Sequence, residues 1–93
     1  MHPSQSTISP ETAKHVLYHF GHGGTQPGNF ARHLLDTILL ADSFNLARLA
    51  NAYPAEVAAV RLAKYAPRGI EALQAIANEY ASVTPLRLVE VGL

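Results

Sequence analysis

Apolar residues recur at helical spacing in five consecutive segments of this chain. In the first, Ser9-Pro10-Glu11 supplies an N-cap, a proline at the first helical position and an acid in the first turn, and Gly21 supplies a stop. We therefore expect a helix over residues 10–20. Its apolar stripe consists of Ala13, Val16, Leu17 and Phe20.

The other four segments follow at short intervals. A second helix is predicted from near Pro27 to Ala41, and a third, capped by Asp42-Ser43, to about Ala52. Pro54 opens a fourth helix that Pro67 ends, and a fifth is predicted over residues 68–81. The second helix has the broadest apolar stripe and is expected to be the central one. This stripe consists of Phe30, Leu34, Leu35, Ile38 and Leu39.

The C-terminal segment has a different character. Residues 82–93 follow the last helical pattern, include Pro85 and are rich in branched apolar side chains, which is typical of extended chain or a short strand. A lone strand has no sheet to join, so we expect a tail that docks on the domain or is exchanged between subunits, and a frayed tail is the alternative. The predicted fold is all-α: a compact bundle of about five short helices over residues 10–81, with a flexible segment 1–9 and an extended apolar tail 82–93.

The charge and composition of the chain argue against several classes of function. The 93 residues carry seven Lys and Arg against seven Asp and Glu and no cysteine. Neutrality argues against a nonspecific nucleic-acid binder, and the absence of cysteine excludes disulfides, thiolate metal sites and a cysteine nucleophile. A surface this poor in charge favours self-association, so a homodimer or higher homo-oligomer is expected.

Histidines form the first candidate site. His15 and His19 lie one helical turn apart, and His22 or His33 could supply a third metal ligand. The segment lacks the glutamate of a metallohydrolase helix, so we predict no metal and no cofactor. An interface role for His15 and His19 is preferred, together with the tail. The tail residues expected at this interface are Leu86, Leu88, Val89, Val91 and Leu93.

A glycine-rich loop forms the second candidate. Residues 21–28 lead into the start of the second predicted helix, where backbone N–H groups and the helix dipole could bind an anion. The loop matches neither a P-loop nor a dinucleotide-binding fingerprint. The predicted ligand-binding residues are Gly23, Gly24, Thr25, Gln26, Gly28, Asn29, Arg32 and His33. A plain connection between two helices is the alternative.

No reaction centre can be assembled from the remaining residues. Arg61, Lys64 and Arg68 form a small basic cluster, which solvation and the helix dipole explain without nucleic acid. Asp36 follows His33 on one predicted helix, but no serine has a supporting motif. We expect no enzymatic activity.

One extended pattern resembles a known group of proteins. Tyr18-His19-Phe20-Gly21-His22-Gly23-Gly24-Thr25-Gln26-Pro27-Gly28-Asn29-Phe30 is followed by Leu34-Leu35, Ala41-Asp42, Asn45, Arg48-Leu49 and Tyr53-Pro54-Ala55-Glu56-Val57. In this order, over about residues 16–78, the chain resembles a group of small proteins of actinobacterial phages. The resemblance implies a phage accessory protein in a bacterial cytoplasm, and it carries over no activity and no site residue.

Three functions remain open from the sequence. The preferred one is a non-catalytic phage accessory protein that binds a host component as a homo-oligomer and counters a host defence system. The second is a binder of an anionic metabolite or nucleotide at the glycine-rich loop, and the third is a compact helical DNA-binding regulator. The chain has no signal-peptide pattern and no apolar run of membrane-spanning length, so we expect a cytoplasmic protein without membrane contact.

Overall fold

A computed structural model describes residues 8–79, and within this range the chain is all-α. Helix α1 covers Pro10–His19, α2 Asn29–Leu40, α3 Ser43–Ala52 and α4 Pro54–Tyr65. A fifth helix, α5, occupies residues 69–79. The predicted helical class and the five segments are confirmed, and α1 to α4 begin and end within about two residues of the expected positions. The predicted end of the fifth helix at residue 81 lies outside the described residues. The predicted segment 1–9, apart from its last two residues, and the tail 82–93 lie outside the described residues.

Side-chain caps fix two of the helix starts. Ser9 accepts a hydrogen bond from the Thr12 backbone N–H at 3.1 Å and begins α1, as its sequence predicts. Asp42 does the same for α3, since its Oδ1 accepts a hydrogen bond from the Asn45 backbone N–H at 2.8 Å. Its Oδ2 accepts a second one from the side-chain amide of Asn45 at 3.3 Å. The two-residue connection Ala41-Asp42 therefore redirects the chain sharply between α2 and α3.

Replacing Asp42 by alanine is expected to lower the free energy of unfolding by about 1 kcal/mol, because the first turn of α3 loses its side-chain acceptor. Urea denaturation followed by circular dichroism measures the change. The neighbouring Ser43→Ala is the matched control, since Ser43 is exposed and makes no capping bond, and it should change the free energy by less than about 0.5 kcal/mol. Equal effects of the two variants would exclude the cap.

The core lies around α4. This helix packs against α1, α2 and α3, and α1 packs against α2. The prediction that the second helix is central was wrong, because breadth of an apolar stripe does not say how many neighbours cover it. The buried apolar residues are Ile8, Ala13, Val16, Leu17, Leu34, Leu35, Ile38, Val57, Ala59, Val60, Leu73 and Ala77.

Helix α3 is the least covered element. None of its residues is buried, and Leu46, Leu49 and Ala50 are only partly covered by the core. Helices α2 and α3 each pack on α4 rather than closely on one another. One groove is left open on each side of α3. In the part of the chain that the structure describes, no helix has the length and apolar character needed to cross a membrane.

Candidate functional site

The groove between α2 and α3 combines apolar walls with a single charged group. It has a volume of about 430 Å³ and is lined by Thr37, Leu40, Ala41, Asn45, Arg48 and Leu49. Leu40, the last residue of α2, is 86% exposed, an unusual position for a leucine in a chain with so small a core. The groove is open to solvent along the side away from α4.

Aromatic side chains extend this surface beyond the groove. Phe44, in the first turn of α3, is 65% exposed, and the guanidinium carbon of Arg48 lies 4.3 Å from its ring centroid. At the start of α2, Phe30 is 68% exposed and its ring lies 6.1 Å from that of Tyr53. We call Leu40, Phe44 and Arg48, with the groove lining, the α2–α3 face. Phe30 lines a separate, smaller cavity with Thr12 and His15.

Phe30 corrects one sequence expectation. Its spacing from Leu34 and Ile38 placed it in the core stripe of the second helix, but the structure leaves it exposed. Because α2 begins only at Asn29, Phe30 lies at the end of the helix and contacts Tyr53 at the margin of the core. Tyr65, the last residue of α4, is likewise 66% exposed.

The α2–α3 groove is lined by one charged side chain. Arg48 is the charged residue of the groove lining, and within residues 8–79 it has no carboxylate partner. The acids of the neighbouring segments are already engaged: Asp42 caps α3, and Asp36 lies 3.1 Å from His19 on α1. A partner that brings apolar side chains and a carboxylate would therefore complement this face.

A second groove, which we call the α4 trough, lies on the other side of α3. Its upper part is lined by Ser43, Leu46, Ala47, Ala50, Val57 and Arg61 and has a volume of about 300 Å³. Its lower part, of about 480 Å³, is lined by Ala50, Pro54, Val57, Ala58, Arg61, Leu62, Tyr65 and Ala66. The two parts share Ala50, Val57 and Arg61, so the trough is continuous along α4.

The glycine-rich loop is held by its own backbone. Gly21 N–H donates to the Tyr18 carbonyl at 3.0 Å and His22 N–H to the Leu17 carbonyl at 2.8 Å, which closes α1 as a Schellman motif. Gly24 has φ +80°, and a Cβ there would lie 2.2 Å from the Lys14 carbonyl oxygen. Thr25 N–H donates to that same oxygen at 3.2 Å. The glycines thus allow the loop to fold back onto α1, as a connection requires.

The other predicted ligand residues surround the start of α2. Gly28 is the N-cap and provides no side-chain hydrogen bond, and Gln26, Asn29, Arg32 and His33 are exposed. None of the predicted ligand-binding residues lines the groove or the trough beside α3. Within residues 8–79 no polar or charged side chain is buried. The anion site at this helix start stays a prediction, since its donors are backbone N–H groups.

Each of the paired histidines faces a carboxylate. His15 Nε2 lies 3.9 Å from Glu11 on the same helix, and His19 Nε2 lies 3.1 Å from Asp36 on α2. Both imidazoles are 19% exposed. Among the described residues no group of three or more His, Cys, Asp or Glu is arranged to hold a metal ion. The contact of His19 with Asp36 therefore joins α1 to α2. Only a small exposed part of each imidazole is available for the predicted interface.

The structure brings two members of the basic cluster together, since Arg61 and Lys64 line one small cavity between α2, α3 and α4, and Arg68 lies outside it. Arg68 pairs with Glu71, with 2.7 Å between Arg68 Nη2 and Glu71 Oε1, and Lys64 Nζ lies 5.3 Å from the Tyr65 ring centroid. Arg61 also lines the α4 trough, without a carboxylate partner among residues 8–79. The predicted interface residues Leu86, Leu88, Val89, Val91 and Leu93 lie outside the described residues.

Sequence reasoning did not find the α2–α3 face. The signal in the sequence is local: Leu40 follows another leucine at the end of a helix, and Phe44 stands two residues after the N-cap Asp42. Leu40 and Phe44 lie on opposite sides of the two-residue connection and belong to different helices. Their side chains must point in different directions, so both cannot easily enter one core. Their exposure could have been suspected, but the groove depends on how far the two helices diverge.

Comparison with known proteins yields no relative: no family model, no curated protein and no solved structure matches the chain. The residues themselves are therefore the grounds for a functional proposal.

Proposed function

We propose that this protein is a non-catalytic phage accessory protein that binds a host protein in the bacterial cytoplasm, as expected of a protein that counters a host defence system. The phage origin rests on the sequence resemblance described above. The α2–α3 face carries the binding part of the proposal, because Leu40 and Phe44 leave large apolar surfaces in water beside an open groove.

The chemistry of the face specifies the kind of partner. An amphipathic helix with an apolar ridge would fill a groove of about 430 Å³ between two diverging helices. Arg48 has no carboxylate partner among residues 8–79 and is held over the Phe44 ring, so an acidic side chain beside the apolar ridge would meet it. The proposed partner is thus a host protein that presents an acidic amphipathic helix.

Removing the apolar anchors is expected to abolish partner binding. In the double variant Leu40→Gln, Phe44→Gln both side chains become polar at exposed positions, so the fold should persist while the contact loses its apolar area. Wild type and variant are cross-linked in an actinobacterial lysate, and the cross-linked peptides are identified by mass spectrometry. We expect cross-links from the α2–α3 face to an acidic helix of one host protein, reduced at least about tenfold in the variant.

Ala75→Gln is the matched control, because it places a glutamine at an exposed position of α5, away from the groove lining. It should retain the wild-type cross-links. Loss of the same partner from both variants, or cross-links confined to other helices, would contradict the proposal. Cross-links between copies of this chain across the face would assign it to self-association instead.

Self-association is the second component of the proposal. Its support is the low charge of the chain, with seven basic and seven acidic residues among 93. Light scattering of the purified protein over a concentration series measures the oligomer, and a constant monomer mass would remove this component without affecting host binding.

A further inference from the structure

A small cavity lies between α1, α2 and α4, and it uses the first half of α2, whereas the groove beside α3 uses the last turn. The cavity has a volume of about 80 Å³. Its deeper part is aliphatic and contains the buried Val16 and Leu35. Less buried side chains bring polar atoms and an aromatic ring to the lining, namely those of Thr12, His15, Phe30 and Glu56. The cavity therefore combines an apolar interior with a polar and aromatic edge.

Glu56 gives this cavity a negative charge. It lies in the first turn of α4, and within residues 8–79 it forms no hydrogen bond and no ion pair. The dipole of α4 favours an acid in this turn, but it does not require that the acid line a cavity. Lys14 and Arg32 belong to the other two helices around the cavity, and neither lines it. The carboxylate is thus left to a cation from outside residues 8–79.

The polar atoms of the lining match the donors of an ammonium group. An alkylammonium has three N–H donors and no acceptor. Three residues of the lining bring acceptors: the Glu56 carboxylate, the His15 imidazole and the Thr12 hydroxyl oxygen, which accepts one hydrogen bond from Ser9 Oγ and retains a second lone pair. Phe30 adds an aromatic face, which attracts cations. A guanidinium has more donors than these residues satisfy, and Glu56 would repel an anion.

The volume of the cavity sets the length of the apolar part of the ligand. A cavity of about 150 Å³ holds a benzene molecule, so about 80 Å³ holds roughly three or four non-hydrogen atoms. A nucleotide or a sugar exceeds this size. The last methylenes of a lysine side chain, or of a short alkylamine, fill it.

We infer that this cavity binds a primary alkylammonium group, with the methylenes against the aliphatic lining and the charge at Glu56. The group belongs to a lysine side chain of another protein or to a free amine of the same shape. The inference does not depend on the proposed host contact, because the two surfaces use different parts of α2. Phe30 and Leu40 are ten residues apart, which is about 15 Å along the helix.

An NMR titration of the ¹⁵N-labelled wild-type protein tests the site. n-Butylammonium chloride is added at neutral pH and constant ionic strength, and the amide shifts of Thr12, His15, Phe30 and Glu56 are followed. We expect these shifts to saturate with a Kd on the order of a few millimolar, and n-butanol, which has the same alkyl chain without the charge, to bind at least about fivefold more weakly. Equal affinities for the two ligands, or shifts that do not saturate, would overturn the inference.

Variants locate the ammonium group within the cavity. Glu56→Gln removes the charge and keeps the shape, so it should raise the Kd of butylammonium at least about threefold. Ala31→Leu adds an isopropyl group to the lining and should raise the Kd at least about tenfold, because the added group fills much of the cavity. Glu79→Gln is the matched control, since it makes the same change at an exposed position of α5 outside the lining, and it should retain the wild-type Kd. The amide spectra show whether each variant is folded. An unchanged Kd in folded Glu56→Gln would overturn the inference.

Two peptides distinguish the sources of the ammonium group. The capped tripeptide acetyl-Gly-Lys-Gly-amide presents a lysine side chain on a backbone, and the same peptide with an acetylated lysine lacks the charge. If the lysine peptide saturates the same shifts at least as tightly as butylammonium, the group belongs to a protein. Saturation by butylammonium without saturation by the lysine peptide assigns it to a free amine. Equal binding of the acetylated and unmodified peptides would overturn the inference, because the site would not require a charge.

Discussion

Replacing Gly69 by alanine is expected to destabilise the protein by about 3 kcal/mol, although alanine is ordinarily the better residue in a helix. Gly69 is buried at the start of α5, and a Cβ built on it would lie 1.6 Å from the Leu62 carbonyl oxygen and 2.4 Å from the Leu62 carbonyl carbon. Both atoms belong to the backbone of α4, so no side-chain rotation relieves the overlap. The two helices must move apart, and the core around Leu73 loses contacts.

Urea denaturation and thermal unfolding followed at 222 nm measure this effect. A loss of about 3 kcal/mol corresponds to a fall in Tm of roughly 10 to 25 °C for a domain of this size. Gly28→Ala is the matched control, because nothing lies within 4 Å of a Cβ at this position and its φ is −71°. The substitution only weakens the N-cap, so it should lower the free energy of unfolding by less than about 1 kcal/mol. A Gly69→Ala protein as stable as wild type would contradict the close approach of α5 to α4.

Local signals predicted where the helices begin and end. Ser9, Asp42 and Gly21 act within three or four residues of themselves, through hydrogen bonds to the backbone of their own turn. Such interactions depend on sequence neighbours, so they are readable from the sequence alone. Pro54 likewise opens α4 as its sequence predicts.

The arrangement of the helices was less predictable. The second segment has the broadest apolar stripe, yet α4 is central, because α4 packs on three helices and α2 has its end residues Phe30 and Leu40 in solvent. Apolar periodicity identifies the side of a helix that can be buried. Which part of that side is covered depends on the angles between helices, and these are set by contacts distant in sequence.

The candidate sites also depend partly on sequence neighbours, which the sequence predicts, and partly on contacts distant in sequence, which it does not. The proximity of His15 and His19 was predictable from helical spacing, but the pairing of His19 with Asp36 joins two helices and could not be read from spacing. For the glycine-rich loop, residue type permits either an anion site or a connection. The close approach of Gly24 to the Lys14 carbonyl explains the glycine at that position and could not be read from the sequence, while the anion site stays a prediction.

The exposure of α3 limits what its own packing contributes to the fold. A helix with no buried residue gains little stability from its own packing, and its helical propensity and Asp42 cap contribute only modestly. A host helix on the α2–α3 face would cover one side of α3 and should therefore stabilise it.

Leu73→Ala is expected to cost about 3 kcal/mol of unfolding free energy, because Leu73 is fully buried and its removal leaves a cavity between α5 and the rest of the core. Alanine and leucine have similar helix propensities, so the loss reports packing rather than helix formation. Leu40→Ala makes the same chemical change at a position that is 86% exposed, and it should alter stability by less than about 0.5 kcal/mol. Urea denaturation of both variants beside wild type measures the difference. Similar small losses in the two would mean that α5 folds separately from the core, and a large loss in Leu40→Ala would mean that the α2–α3 face is already covered in the free protein, which would leave no open surface for a host helix.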